Sequence, residues 1–262
     1  MTKDELNIAI IQTQLHWEDQ ENNLRHFDQI ILKITIPTDI IVLPEMFSTG
    51  FSMNSEKLAE ASEGRSIEMM KKWAVEKQCA VCGSLIIKDG GKYYNRFIWV
   101  DDSGEIISYN KRHLFALAGE DKFYSSGDKN EIIEWKGWKI MPQVCYDLRF
   151  PVWTRRTANQ NYDLLIYVSN WPEKRSYAWE TLLKARAIEN QSFVAAVNRV
   201  GTDGNSILYS GNSAVINPLG KEILKFRDFE DGVKTQKISM TELRKVRTQL
   251  PFFNDGDRFT IQ

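Results

Sequence analysis

The chain has 262 residues, with 34 Lys plus Arg against 35 Asp plus Glu and a formal net charge of −1. That balance removes the electrostatic case for a nucleic-acid partner or a basic membrane-surface protein. A composition 42% hydrophobic and 26% charged excludes wholesale disorder, and no apolar run approaches the roughly 20 residues of a membrane span.

Three cysteines are too few, and odd in number, for a disulfide scaffold. Met1 to Leu6 is polar and carries no apolar signal-peptide core. These features lead us to expect a soluble cytoplasmic enzyme or binding protein. No fixed-period repeat, low-complexity tract or long linker divides the chain, so one domain over 1–262 is expected.

Asn7 to Gln12 is an apolar run of strand length. Leu24, Phe27 and Ile31 recur at i, i+3, i+7 and predict a helix over 23–33. Asp39 to Leu43 reads as a strand buried on both faces. Pro44 ends it, which leaves Glu45 just past its C-terminal end. Ser66 reads as a helix N-cap before Ile67, Met70 and Ala74. Ala80 to Lys88 and Lys92 to Val100 read as strands joined by a hairpin turn at Asp89-Gly90-Gly91. Strands follow over 105–109, 131–135 and 138–144. Pro142 within the last must take a backbone position that needs no donor. Pro151 reads as a helix start. Asp163 to Val168 and Phe193 to Val197 are further buried strands, with a helix over 176–191 between them. Strands alternating with helices at both ends predict a layered α/β fold.

The chemistry is bounded first by what is missing. The sequence holds no G-x-S-x-G elbow, no phosphate loop, and no G-x-G-x-x-G after its first strand. Its histidines, His16, His26 and His113, lack metal-ligand spacing, so no metal site is expected. Their scarcity also argues against an imidazole base. Cys79 and Cys82 match C-x-x-C, but the run continues as a strand, where residues three apart point to opposite faces. Both read as buried structural cysteines.

Cys145 differs. It closes the strand 138–144 and meets a turn, the position where α/β proteins place ligands. Glu45 and Lys111 also follow strands. Alone, each would read as a buried thiol or a solvated charge. Together they form a working set. A carboxylate can deprotonate a thiol without histidine, and an ammonium can stabilise the resulting oxyanion.

The segments Leu43-Pro44-Glu45-Met46-Phe47, Asn110-Lys111-Arg112-His113-Leu114-Phe115 and Val144-Cys145-Tyr146-Asp147-Leu148-Arg149-Phe150-Pro151 carry a resemblance. Along nearly its whole length the chain resembles the nitrilase superfamily of carbon–nitrogen hydrolases. Ser169-Asn170-Trp171-Pro172, Arg175 and Val197-Asn198-Arg199-Val200-Gly201 make it most similar to the bacterial omega-amidases. The resemblance implies a four-layer αββα sandwich, assembled as a homodimer through the cysteine-side helices. It implies hydrolysis of the terminal amide of a small α-keto acid amide such as 2-oxoglutaramate. Cys145 would be the nucleophile and Glu45 the base. Lys111 and the Tyr146 N–H would hold the oxyanion. Glu120, matching the family's second glutamate, would orient Lys111 or the substrate amide. No metal or organic cofactor is implied.

The substrate's carboxylate calls for a guanidinium, and Arg149, Arg175 and Arg199 are the candidates. Trp171 would wall the pocket. Two alternatives stay open. One is an amidase acting on deaminated glutathione, a carbamoyl compound or an aliphatic amide. The other is a non-catalytic binding protein of the same fold.

Overall fold

The apolar strands pair into two six-stranded sheets in a computed structural model that describes residues 2–257, 259 and 260. The first sheet contains β1 (Glu5–Gln12), β2 (Ile40–Val42), β3 (Ala80–Asp89), β4 (Lys92–Val100) and β5 (Ile106–Asn110). The second contains β6 (Ile133–Trp135), β7 (Trp138–Val144), β8 (Leu164–Ser169) and β9 (Phe193–Asn198). A separate hairpin follows, β10 (Val200–Thr202) with β11 (Leu208–Ser210). Then β12 (Ala214–Ile216) and β13 (Glu222–Lys225) return to the second sheet, and β14 (Gly232–Ser239) closes the first beside β1. The orders are β14-β1-β2-β3-β4-β5 and β13-β12-β9-β8-β7-β6. The central strands β1, β2, β3 and β7, β8, β9 are parallel, and the flanking strands are antiparallel.

Strand alternation builds the layers. Ile8, Ile10, Ile40 and Val42 point inward and meet Ile140, Val144, Ile166 and Val168 of the other sheet. Their neighbours Ala9, Ile11 and Ile41 point outward, against α1 (Gln20–Leu32) and α2 (Arg65–Lys77). On the far side, Leu165, Tyr167, Val194 and Ala196 pack under Trp179, Leu183 and Ala187 of α3 (Ser176–Asn190). The result is the expected four-layer αββα sandwich. A fourth helix, α4 (Met240–Gln249), adds Met240 and Leu243 to the inter-sheet core.

The hairpin turn between β3 and β4 forms as expected, with Gly90 and Gly91 at φ 55° and 76°, values that favour glycine. Pro142 pairs with Ile166 of β8. Its other side lies beyond the last β6 partner, Ile140, so the missing N–H leaves no gap in that ladder. Three expectations shift. Helix α1 begins earlier than predicted, because Asp19 caps it by accepting from the Asn22 N–H. Ser66 is not the N-cap of α2. Gly64 is, and Glu60 reaches in to accept the Ser66 N–H instead. Pro151 starts no helix; the segment after it turns across the sheet end, with Trp153 bonded to Tyr109 and Arg156 to Asn190.

Since β4 runs antiparallel to both β3 and β5, β5 points the same way as β2 and β3. The residues following β2 and β5 therefore emerge at one edge of the first sheet. Those following β7 and β8 emerge at one edge of the second. Ile166 sits in the inter-sheet core that keeps the two edges together. Ile166→Ala should lower unfolding free energy by about 2–5 kcal/mol, read from the urea midpoint. A loss below 1 kcal/mol, on the order of a surface change, would contradict this packing.

Candidate active site

The two sheet edges bring four chain segments together. Glu45 follows β2, Lys111 follows β5, Cys145 follows β7 and Asn170 follows β8. Glu120 opens a single helical turn, Glu120–Phe123. The Lys111 Nζ lies 2.9 Å from Oε1 of Glu45 and 2.9 Å from both carboxylate oxygens of Glu120. All three side chains are fully removed from solvent. Burial would push the Lys111 ammonium down, but the charges of Glu120 and Glu45 outweigh it and hold the group above its ordinary value. Burial raises the Glu120 carboxyl, and Lys111 opposes that rise.

Glu45 is held on both oxygens. Oε1 accepts from Lys111 and, at 2.7 Å, from the amide of Asn95; Oε2 accepts from the Asn170 N–H at 2.8 Å. The Asn170 carbonyl in turn faces the Cys145 Sγ at 3.9 Å. A single residue thus touches both the carboxylate and the thiol. Burial pushes the Cys145 thiol well up, and the Glu45 charge adds to the rise while Lys111 opposes it. These surroundings favour a thiol over a thiolate in the resting site. Cys145 and Met46, the residue after Glu45, have φ of 45° and 43°. Non-glycine residues adopt such values at a cost, and both kinks lie at the site.

Cys145 opens a 3-10 helix, Cys145–Arg149. The Tyr146 N–H falls in its first turn, where backbone donors have no intrahelical acceptor. Asp147 fixes this turn against the Lys111 loop. Its buried carboxylate accepts from the Tyr109 hydroxyl, the Val144 N–H and the His113 N–H. It also lies 2.8 Å from His113 Nδ1, while the imidazole stacks on Phe150 at 3.7 Å. His113 is a strut here, with its ring occupied on one nitrogen and one face.

A cavity of about 690 Å³ opens onto Cys145, Tyr146 and Lys111. Arg149, Trp171 and Arg175 line it as well. Arg149 lies 4.9 Å over the Trp171 ring and Arg175 lies 5.1 Å over the Phe115 ring. Among the described residues, neither guanidinium is paired with a carboxylate. Arg199 is not among the lining residues, which corrects its candidacy. Its side chain is fully buried and turns back into the fold, donating to the carbonyls of Val200, Leu15 and Thr202 and lying 4.9 Å over Tyr209. It braces the β10–β11 hairpin. Two contributors escaped sequence analysis as site residues, Asn95 and Asn170. The available signal was a lone Asn95 ahead of the apolar run Phe97-Ile98-Trp99-Val100, since a buried amide needs partners.

Cys79 and Cys82 point into different cores, on opposite faces of the first sheet. Burial pushes the Cys79 thiol up to about 12 and raises that of Cys82 further from reactivity. No group of three His, Cys, Asp or Glu side chains among the described residues is placed to hold a metal ion.

The carbon-nitrogen hydrolase family model matches residues 7–248. The chain belongs to that family. It is 44% identical over 257 residues to omega-amidase YafV of Escherichia coli strain K12, covering 98% of each protein. It is 33% identical over 252 residues to the 2-oxoglutaramate amidase of Bacillus subtilis strain 168, covering 95% of this chain and 96% of that one. Among solved structures it is similar to XC1258 from Xanthomonas campestris, a CN-hydrolase superfamily protein with an arsenic adduct in its active site. That match has a TM-score of 0.96 at 39% identity, covering 98% of this chain and 99% of the other.

Thiol labelling tests the assignment of exposure. Iodoacetamide should modify one cysteine of the native protein, Cys145, with a rate that climbs as pH rises towards the elevated thiol range. Cys79 and Cys82 should react only after denaturation. Equal labelling of all three in the native state would contradict the geometry.

Proposed function

We propose that the protein is an omega-amidase hydrolysing the terminal amide of a small α-keto acid amide of the 2-oxoglutaramate kind. The observation that carries this reading is the double contact of Asn170, whose N–H grips Glu45 and whose carbonyl faces Cys145. It puts a carboxylate next to a thiol that is protonated at rest. The names and full-length similarity of the Escherichia coli and Bacillus subtilis relatives support the substrate class.

The steps follow from the placement. Cys145 Sγ attacks the amide carbon as Glu45 takes the thiol proton. The carbonyl oxygen becomes an oxyanion, received by the Lys111 ammonium and the Tyr146 N–H. Glu45 returns the proton to the nitrogen, the C–N bond breaks and ammonia leaves, giving a thioester. Glu45 then takes a proton from water, and the hydroxide adds to the thioester carbon. Collapse releases the dicarboxylate, and the proton goes back to sulfur. Glu120 acts through Lys111, keeping the ammonium charged and aimed.

The substrate's carboxylate end is assigned to Arg149 or Arg175, each stacked on an aromatic ring and free to form a bidentate pair. We read 1–262 as one domain, working in the cytoplasm, where three unpaired cysteines stay reduced. Assembly as a homodimer through the α3 side is supported by Tyr177 and Ile188, which are 83% and 54% exposed there.

Four variants and one substrate pair test the reading. Glu45→Gln keeps the shape but cannot take a proton, so kcat should fall about 10²–10⁴-fold. Lys111→Ala should cost about 3–4 kcal/mol of transition-state stabilisation. Near-native kcat in either would remove that residue from the mechanism. For the native protein, ammonia release from 2-oxoglutaramate should far exceed that from butyramide, which lacks the carboxylate. Arg175→Ala should narrow the gap by about 2–5 kcal/mol in kcat/KM, and Arg149→Ala is the next variant if it does not. Equal native rates on the two amides would leave a general aliphatic amidase.

A further inference from the structure

Behind the reactive groups a chain of hydrogen bonds runs from the residue after Glu45 back to the Glu45 carboxylate. The N–H of Met46, the next residue, donates to Ser84 Oγ at 2.9 Å. The Ser84 hydroxyl donates to Asn95 Oδ1 at 2.8 Å. The Asn95 amide nitrogen donates to Glu45 Oε1 at 2.7 Å and to Glu120 Oε1 at 3.1 Å. Ser84 and Asn95 are completely buried and do not line the cavity.

Each link fixes the next. The Met46 N–H claims a lone pair of Ser84, which directs the Ser84 proton at Asn95. A hydroxyl donor on Oδ1 forces the other end of the Asn95 amide, its NH₂ group, towards the two carboxylates. That end has two N–H bonds, and two anionic oxygens stand within reach. Donation from the amide favours the ionised form of each carboxyl, because a carboxylate oxygen is the stronger acceptor and carries no competing proton.

We propose that Ser84 and Asn95 are positioning residues that hold Glu45 ionised and oriented for the thiol proton. This rests on Glu45 being the proton acceptor. Lys111 alone cannot do the same work. Its ammonium is shared among three oxygens, whereas the planar amide presents its N–H bonds in one plane fixed by the Ser84 contact. Five titratable or charged groups bear on Glu45: Lys111 after β5, Glu120 on its helical turn, Cys145 after β7, and the phenols of Tyr124 and Tyr209. A change at position 84 touches none of them directly, and a change at position 95 takes one hydrogen bond from Glu120 as well as from Glu45.

The test is the pH profile of kcat/KM, measured as ammonia release from the primary amide the native protein hydrolyses fastest. Asn95→Leu keeps the branched shape and removes the donor, so Glu45 takes up its proton more readily. The acidic limb should move up by about one pH unit, the scale of one hydrogen bond to a charged group. Plateau kcat should fall about tenfold, with KM nearly unchanged. Ser84→Ala leaves the Asn95 donor in place but lets the amide turn, so its limb should move the same way by less. A fall in kcat with the limb unmoved in both variants would reduce the pair to packing and overturn the proposal. If Asn95→Leu does not fold, Ser84→Ala decides by the same two outcomes. Glu45→Gln is the control: should it remain active, proton transfer by Glu45 fails, and the role of Ser84 and Asn95 fails with it.

Discussion

One ammonium shared between two carboxylates, all three out of water, is the constraint around which this protein is arranged. Taking such charges from solvent costs several kcal/mol per ion, recovered only with near-ideal geometry and full hydrogen bonding. Here the bonding is complete. Glu45 and Glu120 are satisfied by Lys111, Asn95, the Asn170 N–H and the Phe115 N–H. Removing one partner would strand a buried charge, an effect of about 3–5 kcal/mol. The cluster therefore ties four chain segments into one arrangement, and the nucleophile is set against it.

The sandwich makes this possible because its two sheets contribute different halves. The first sheet supplies Glu45 and Lys111 from beyond the ends of β2 and β5, and the Asn95 amide from the middle of β4. The second supplies the thiol and Asn170, from the ends of β7 and β8. Asp147 crosses between them, anchoring the cysteine turn to Tyr109 and to the loop after Lys111. The inter-sheet core of Ile, Val and Trp side chains keeps those halves in register. The His113 imidazole is absorbed into this scaffold by Asp147 and Phe150, which fits the proposal that a carboxylate serves as the base.

Much of this arrangement is legible in the amino-acid sequence. Buried strands announce themselves as short apolar runs, most clearly the one before Glu45, and Lys111 and Cys145 also stand just beyond strands. That position fixes where a residue emerges, so the trio can be grouped. It does not fix where a long side chain then goes. Arg199 lies beside the motif yet folds back beneath its hairpin, while Arg149 and Arg175 turn towards the cavity. The polar scaffold is equally hidden. Asn95 sits within a strand, and its partners Ser84, Glu45 and Glu120 lie 11, 50 and 25 residues away. No local pattern records such pairings. After residue 200, β11, β12 and β13 are only three or four residues long, and the longer β14 is half-exposed along most of its length, which blurs its alternation. Ser66 misleads because a distant acceptor, Glu60, takes over the capping bond.

The proposed mechanism turns on covalent catalysis by Cys145, and the acyl-enzyme itself is the decisive object. Native protein mixed with 2-oxoglutaramate, quenched in acid during turnover and digested, should yield a peptide carrying a thioester on Cys145. Its added mass should equal the substrate less one ammonia. Turnover with no adduct under any quench time, or with the adduct on another residue, would contradict the mechanism.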